Sequence, residues 1–229
     1  MAKAPAERKI NKSERTRLSI VNGYLDLMAE KKWDKITVKE LCEKCSITRS
    51  TFYQYYTDIY DLMDALETSL LERLVQHYDR VTQSKFSKLP ESLFIEKFDY
   101  APPKIFLVWF EFVEKNKKAV IALLDRKKGD TYFVKRLKQI MIVYLGRSMD
   151  NDGLPNDELR SHFMKLIVEM HLIAAQSWVE EESDDPLTVT DIVNLLNTMR
   201  VGACYLNFKS LTDPAFETKM SENSTIKLS

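Results

Sequence analysis

The sequence predicts an all-α protein, a small N-terminal helical domain joined to a larger helical body. Three observations carry this. Only five glycines and seven prolines occur in 229 residues, which disfavours a turn-rich sheet protein. Apolar residues return at helical spacing in segment after segment. Between Thr37 and Leu62, threonines open two short helical patterns separated by a brief break.

Residues 1–12 are polar and basic without periodicity and read as a flexible arm. From Ser13 a helix is predicted, with Ile20, Gly23, Tyr24 and Leu27 on one buried face. Trp33 packs where the chain turns. Thr37, with Glu40 three residues on, forms a capping-box pattern, and Val38 and Leu41 point inward. The chain turns at Ser46-Ile47, and Thr48 caps a second short helix reaching Gln54 or Tyr55. A long helix begins near Asp58, with Leu62, Leu66, Ser69 and Leu70 on one face.

In the body, Pro102-Pro103 suits a helix start. Ile105–Val113 could be a buried strand by residue preference alone. It reads as helix because its neighbours are helical and the apolar stretch continues toward Val120–Leu124. Gly129 breaks that pattern. Thr131–Met149 then carries Phe133, Leu137, Ile140 and Tyr144 at helical spacing, and Asn151–Pro155 is a loop. Leu159–Val179 is apolar on two sides: Phe163, Leu166, Ile167, Met170, Ala174 and Trp178 on one, Met164, Leu172, Ala175 and Val179 on the other. A helix apolar on two sides has something packed on both, which suggests a partner subunit. After the acidic loop 180–185 and Pro186, a last helix spans roughly Thr190–Asn207 with Ile192, Leu195, Leu196, Met199 and Ala203, and residues 213–229 read as a disordered tail. The predicted organisation is an arm at 1–12, a helix-turn-helix domain at 13–62, a ligand-binding and dimerisation domain at 63–212 and the tail.

Charge distribution is more informative than the neutral total. Residues 1–60 carry twelve lysines and arginines against eight acids, an excess that the remainder cancels. Phosphate-backbone affinity follows local clustering of cations, so a basic head on an acidic body is compatible with nucleic acid. No segment approaches the roughly 18 apolar residues of a membrane span, which predicts a cytoplasmic protein, nucleoid-associated when bound to DNA. Three cysteines are too few for a disulfide framework. Cys42 and Cys45 have the spacing of a zinc half-site or redox pair, but no second pair follows and the histidines are distant. They read as small core hydrophobes, and neither a metal nor a cofactor is expected. No catalytic triad, Cys-His pair, carboxylate pair or glycine-rich phosphate loop appears, so no enzyme activity is expected.

The N-terminal pattern resembles the TetR family of bacterial transcription regulators. The resemblance covers residues 15–62: Thr16-Arg17 before Ile20, Trp33, Thr37-Val38 with Leu41, Thr51-Phe52-Tyr53-Gln54-Tyr55-Tyr56, and Asp61-Leu62. Thr57–Leu62 resembles regulators of the dihydroxyacetone-kinase type. Where the family usually has glycine this chain has Lys32, Ser46 and Ser50, and Ile59 replaces a common phosphate-binding lysine.

A recognition helix enters the major groove N-terminus first. Its first turn here presents Thr48, Arg49, Ser50 and Thr51; arginine can bond guanine twice and threonine methyls can touch thymine. Tyr53, Gln54 and Tyr55 lie where family members meet bases and phosphates, and Thr37 with Lys39 can hold a phosphate at the preceding helix start. Phe52 faces inward. Arg8, Lys9 and Lys12 read either as a groove contact or as a solvated tail.

The resemblance also implies a homodimer on double-stranded operator DNA and a small apolar or aromatic inducer in the body. Candidate lining residues are Phe106, Trp109, Phe110, Tyr132, Tyr144, Phe163, Met170 and His171, with Phe94, Phe98, Phe133, His162, Met164 and Gln176 nearby; a packed core explains the same residues. The expected function is a dimeric repressor released by its ligand. The alternative is a co-activator or adaptor acting through a protein partner.

Overall fold

The computed structural model describes residues 11–82, 102, 104–151 and 156–199. Among these, every regular element is helical. Expectations that rest on the N-terminal arm, on Phe94, Phe98 and Pro103, on the loop after Asn151, and on Ala203, Cys204 and the tail lie outside the described residues.

In the head, α1 is Lys12–Glu30, a 3-10 turn covers Trp33–Lys35, α2 is Val38–Cys45 and α3 is Arg49–Tyr53. Helix α4 is Ile59–Thr82. The body continues with α5 (Lys104–Lys115), α6 (Lys117–Leu124), α7 (Thr131–Asn151) and α8 (Glu158–Glu180); residues 189–199 form α9. Helix α1 starts one residue before Ser13 because the Asn11 side chain accepts from the Glu14 N–H at 2.8 Å. Its predicted face is buried, with Ile20 and Tyr24 sealed from solvent.

The long α4 starts where Asp58 caps it, accepting from the Asp61 N–H at 2.8 Å. Leu62, Leu66 and Leu70 are buried as predicted, but Ser69 is exposed and does not belong to that face. Ile105–Val113 is helical as read. The apolar run is nevertheless two helices: the Asn116 side chain donates back to the Phe112 carbonyl at 2.8 Å and its backbone leaves the helical region. Helix α9 starts one residue before Thr190 and is capped by Thr188: its hydroxyl accepts from the Asp191 N–H at 3.3 Å, and Asp191 accepts from the Thr188 N–H and hydroxyl at 2.8 and 2.6 Å.

Helix α1 packs on α2 and α6, α2 on α3, and α4 on α5 and α7, while α8 closes the body against α5, α6 and α7. The turn between α6 and α7 is tight. Asp125 accepts from the N–H groups of Lys127 and Lys128, and a Cβ on Gly129 would lie 2.3 Å from the Leu123 carbonyl. Two lysines from this region reach the head's main chain. Lys118 donates to the Asn22 carbonyl at 3.0 Å and pairs with Asp26 at 2.8 Å, and Lys128 donates to the Ala29 carbonyl. The Trp33 N–H returns a bond to the Lys128 carbonyl at 3.4 Å.

Glu67 of α4 is buried beneath this joint, with Arg136 of α7 at 3.7 Å and Asp130 beside it. Its carboxyl is pushed up to about 8, first by burial and then by hydrogen bonding to and the charge of Asp130, with Arg136 opposing. Among the described residues its Oε1 has no hydrogen-bond partner, nor has the Tyr24 hydroxyl of α1.

Candidate nucleic-acid interface and body cavity

Two short helices meet at a turn that the backbone makes expensive. Ser46 sits at φ 53° and ψ 42°, and its N–H bonds the Cys42 and Glu43 carbonyls to end α2. That left-handed residue swings the chain so that α3 starts at an angle to α2. Thr48 caps α3 through the Thr51 N–H at 3.1 Å, and its hydroxyl also meets that of Thr51 at 2.9 Å. Phe52 is sealed inside, edge-on to Tyr53 at 5.5 Å and tilted against Tyr56 at 5.9 Å. The anchor faces in, so the rest of a five-residue helix faces out.

The outward set is Thr48, Arg49, Ser50, Tyr53 and Gln54, all exposed. Arg49 is in no salt bridge among the described residues, and its guanidinium is available to an external acceptor. Thr51 and Tyr55 are half-buried: the first completes the cap, and the second packs on the core. Of the nine residues put forward for DNA contact, these two have the least free surface.

Thr37 and Lys39 stand exposed at the start of α2. Thr37 already has a full set of partners. Its N–H and hydroxyl donate to Glu40 Oε2 at 2.9 and 2.8 Å, and its hydroxyl accepts from the Glu40 N–H at 3.3 Å. Glu40 is also held by the Lys31 ammonium, and these bonds bring its carboxyl down to about 2. The helix start therefore carries its own anion. Lys39 pairs loosely with Glu43 at 4.0 Å. Ile59 is buried in the first turn of α4, so that position faces the core; the neighbouring surface belongs to Tyr60, edge-on to Trp33 at 5.3 Å. Nothing in the local residue pattern singled out Tyr60.

Cys42 is a buried free thiol and Cys45 a half-buried one that donates to the Ser19 carbonyl at 3.4 Å. Burial raises both thiols, which disfavours the reactive thiolate. Among the described residues no group of three or more His, Cys, Asp and Glu is placed to hold a metal, and no helix is long and apolar enough to cross a membrane.

The body candidates divide. Phe106, Trp109, Phe110 and His171 come together, with Phe106 and Phe110 ring centres 4.4 and 5.9 Å from the imidazole. The first two and His171 line a cavity of about 20 Å³ with Tyr78, Ile105 and Met141. Tyr144 lies beyond it, stacked on Tyr78 at 4.7 Å with its hydroxyl donated to Asp79. Met170 is half-buried. Tyr132 and Phe163 do not join the group. Tyr132 is exposed under Arg136, 5.8 Å from ring centre to guanidinium carbon, and Phe163 sits on the outer face of α8. Sequence reasoning missed Tyr78 and Met141, which come from α4 and α7 and are brought in only by helix packing. A larger open cleft of about 630 Å³ separates the α6–α7 turn from α8.

No family model matches the sequence. No curated protein matches it either. Solved structures do. A TetR transcriptional regulator from Streptococcus agalactiae is 18% identical, with TM-score 0.52 over 82% of this chain and 94% of that one. The fatty acid degradation regulator FadR from Bacillus halodurans is 14% identical, with TM-score 0.57 over 87% of this chain and 97% of that one. FadR from Bacillus subtilis in complex with stearoyl-CoA is 13% identical, with TM-score 0.51 over 79% of this chain and 94% of that one. From its helix-turn-helix head to α8, the chain has the fold of TetR-family transcriptional regulators.

Proposed function

We propose that this protein is a sequence-specific DNA-binding transcription regulator of the TetR family, a dimeric repressor released by a small molecule. The observation that carries the DNA reading is α3: a short helix with Phe52 sealed inside and Arg49, Ser50, Tyr53 and Gln54 all exposed. A helix that spends one side chain on its own packing and presents the rest to solvent has the form of a reader. Thr57–Leu62 supports placing the chain near the dihydroxyacetone-kinase-type regulators.

The dimer reading rests on the outer face of α8 and α9. Leu166 and Ile173 are 68% and 54% exposed, and Leu195 and Met199 are 56% and 53% exposed. Apolar side chains in such a row lose contact with water when two copies meet. Two heads would then address major grooves one helical turn apart, about 34–36 Å. Ligand control rests on the aromatic cavity, which Tyr78 of α4 lines directly. An occupant that favours one setting of α4 would shift the spacing of the heads.

A gel shift with the intergenic DNA upstream of the gene tests the first step. Binding is expected, falling steeply with salt. Arg49→Ala and Tyr53→Ala should each weaken it by about 1–3 kcal/mol. Unchanged binding in both variants would show that α3 does not read the DNA.

A further inference from the structure

His171 presents a buried hydrogen-bond acceptor. The residue is 3% exposed, on the core face of α8. Its Nδ1 lies 2.7 Å from the Ile167 carbonyl, so the ring proton sits on Nδ1 and is donated there. Burial lowers the imidazole's pKa and keeps the ring neutral. Nε2 is then a lone-pair acceptor, and among the described residues it has no hydrogen-bond partner. A buried acceptor left unmet is unfavourable, so the position favours a donor.

The space beside it sets what that donor can be. The cavity is about 20 Å³, enough for a hydroxyl-sized group. Its walls include Tyr78, Ile105, Phe106, Trp109 and Met141, and among the described residues no lining residue carries a charge. The Trp109 ring N–H is already donated to the His171 carbonyl at 3.2 Å. Among the described lining residues a carboxylate would find no cation and would set its lone pairs against that of Nε2, and an ammonium would find no counter-ion; both are costly. A neutral molecule with one O–H fits both constraints. Its apolar remainder needs room that the unbranched Met141 can yield by changing rotamer.

We propose that this cavity is the polar end of the body's ligand site, where a neutral apolar alcohol or phenol donates its hydroxyl to His171 Nε2. The proposal rests on the reading of the body as a ligand-binding domain. It adds the chemical class: uncharged, with a single donor, recognised by an acceptor.

The test uses the full chain without DNA, labelled with ¹⁵N-histidine, and three matched probes: phenol, benzene and benzoate. Phenol should raise the melting temperature with dose and move the His171 Nε2 resonance as its lone pair accepts a bond. Benzene should bind at least tenfold more weakly, and benzoate should leave both signals unchanged. His171→Phe should erase the preference for phenol over benzene. If that variant fails to fold, the Nε2 resonance of the unmodified protein decides alone. Equal binding of phenol and benzene overturns the proposal. So does absence of binding by all three. So does an Nε2 resonance that already reports a hydrogen bond without probe and does not move with phenol, the signature of a resident water only. Because DNA is absent, a negative result here leaves the gel-shift reading standing, and a negative gel shift leaves this one standing.

Discussion

Ser46 and Glu67 each hold a state their residue type resists. At Ser46 the side chain makes the left-handed backbone cost about 1 kcal/mol more than glycine would. Ser46→Gly should therefore stabilise the protein by about 1 kcal/mol, a rise of roughly 2–4 °C in Tm by thermal denaturation, without weakening DNA binding. Glu67 resists differently. Folded, its carboxyl keeps its proton up to about 8, whereas its ordinary value is 4.5. Between those values the unfolded chain has released the proton and the folded chain has not. Stability is therefore whole below about 4.5 and is lost as pH rises toward 8, with a slope reaching ~1.4 kcal/mol per pH unit. Glu67→Gln should flatten that decline and raise Tm at pH 8; melting curves of both proteins across this range are the check. Ser46 was legible in the sequence because it stands where related turns carry glycine. Glu67 was not, because its surroundings include Asp130 and Arg136, which only the packing of α7 brings near.

At the scale of elements, α1 and α2 cross at unusually short range. A Cβ on Gly23 would lie 2.4 Å from the Cys45 sulfur. Gly23→Ala should cost about 1–3 kcal/mol by overpacking, and Cys45→Ala in the same chain should recover most of it. Chemical denaturation of the two singles and the double gives the coupling; simple additivity would show that the helices shift apart instead. The contact gives Cys45 a packing role, and Cys42 is buried in the core of the head. The helix-turn-helix elements were readable because their signals are local: Thr37 with Glu40, Thr48 with Thr51, an apolar Phe52 among polar neighbours. The break at Asn116 was not, since helical apolar runs lie on either side of a short charged stretch and the break is made by the backbone of Asn116 itself, with its side chain bonded back to Phe112. The same limit divided the body's candidates. Phe106, Trp109 and Phe110 share a helix and stayed together, whereas Tyr132 and Phe163 had the right chemistry on the wrong faces.

In the proposed dimer, DNA binding depends on α8 and α9 meeting a second copy. Leu166→Glu combined with Ile173→Glu places charge on the exposed row without touching the buried residues Leu172 and Ala175. Light scattering should then report monomers, and DNA affinity should fall more than tenfold because the two half-sites are no longer held together. A variant that remains dimeric would move the interface elsewhere. The two lysine hooks at the joint, Lys118 on the Asn22 carbonyl and Lys128 on the Ala29 carbonyl, have a different consequence. They grip peptide groups, which every residue type supplies. Apart from Asp26, which Lys118 also meets at 2.8 Å, the outer side chains of α1 can drift while the hooks still close on the same carbonyls. Such a joint lets the surface of the head evolve separately from the interior of the body.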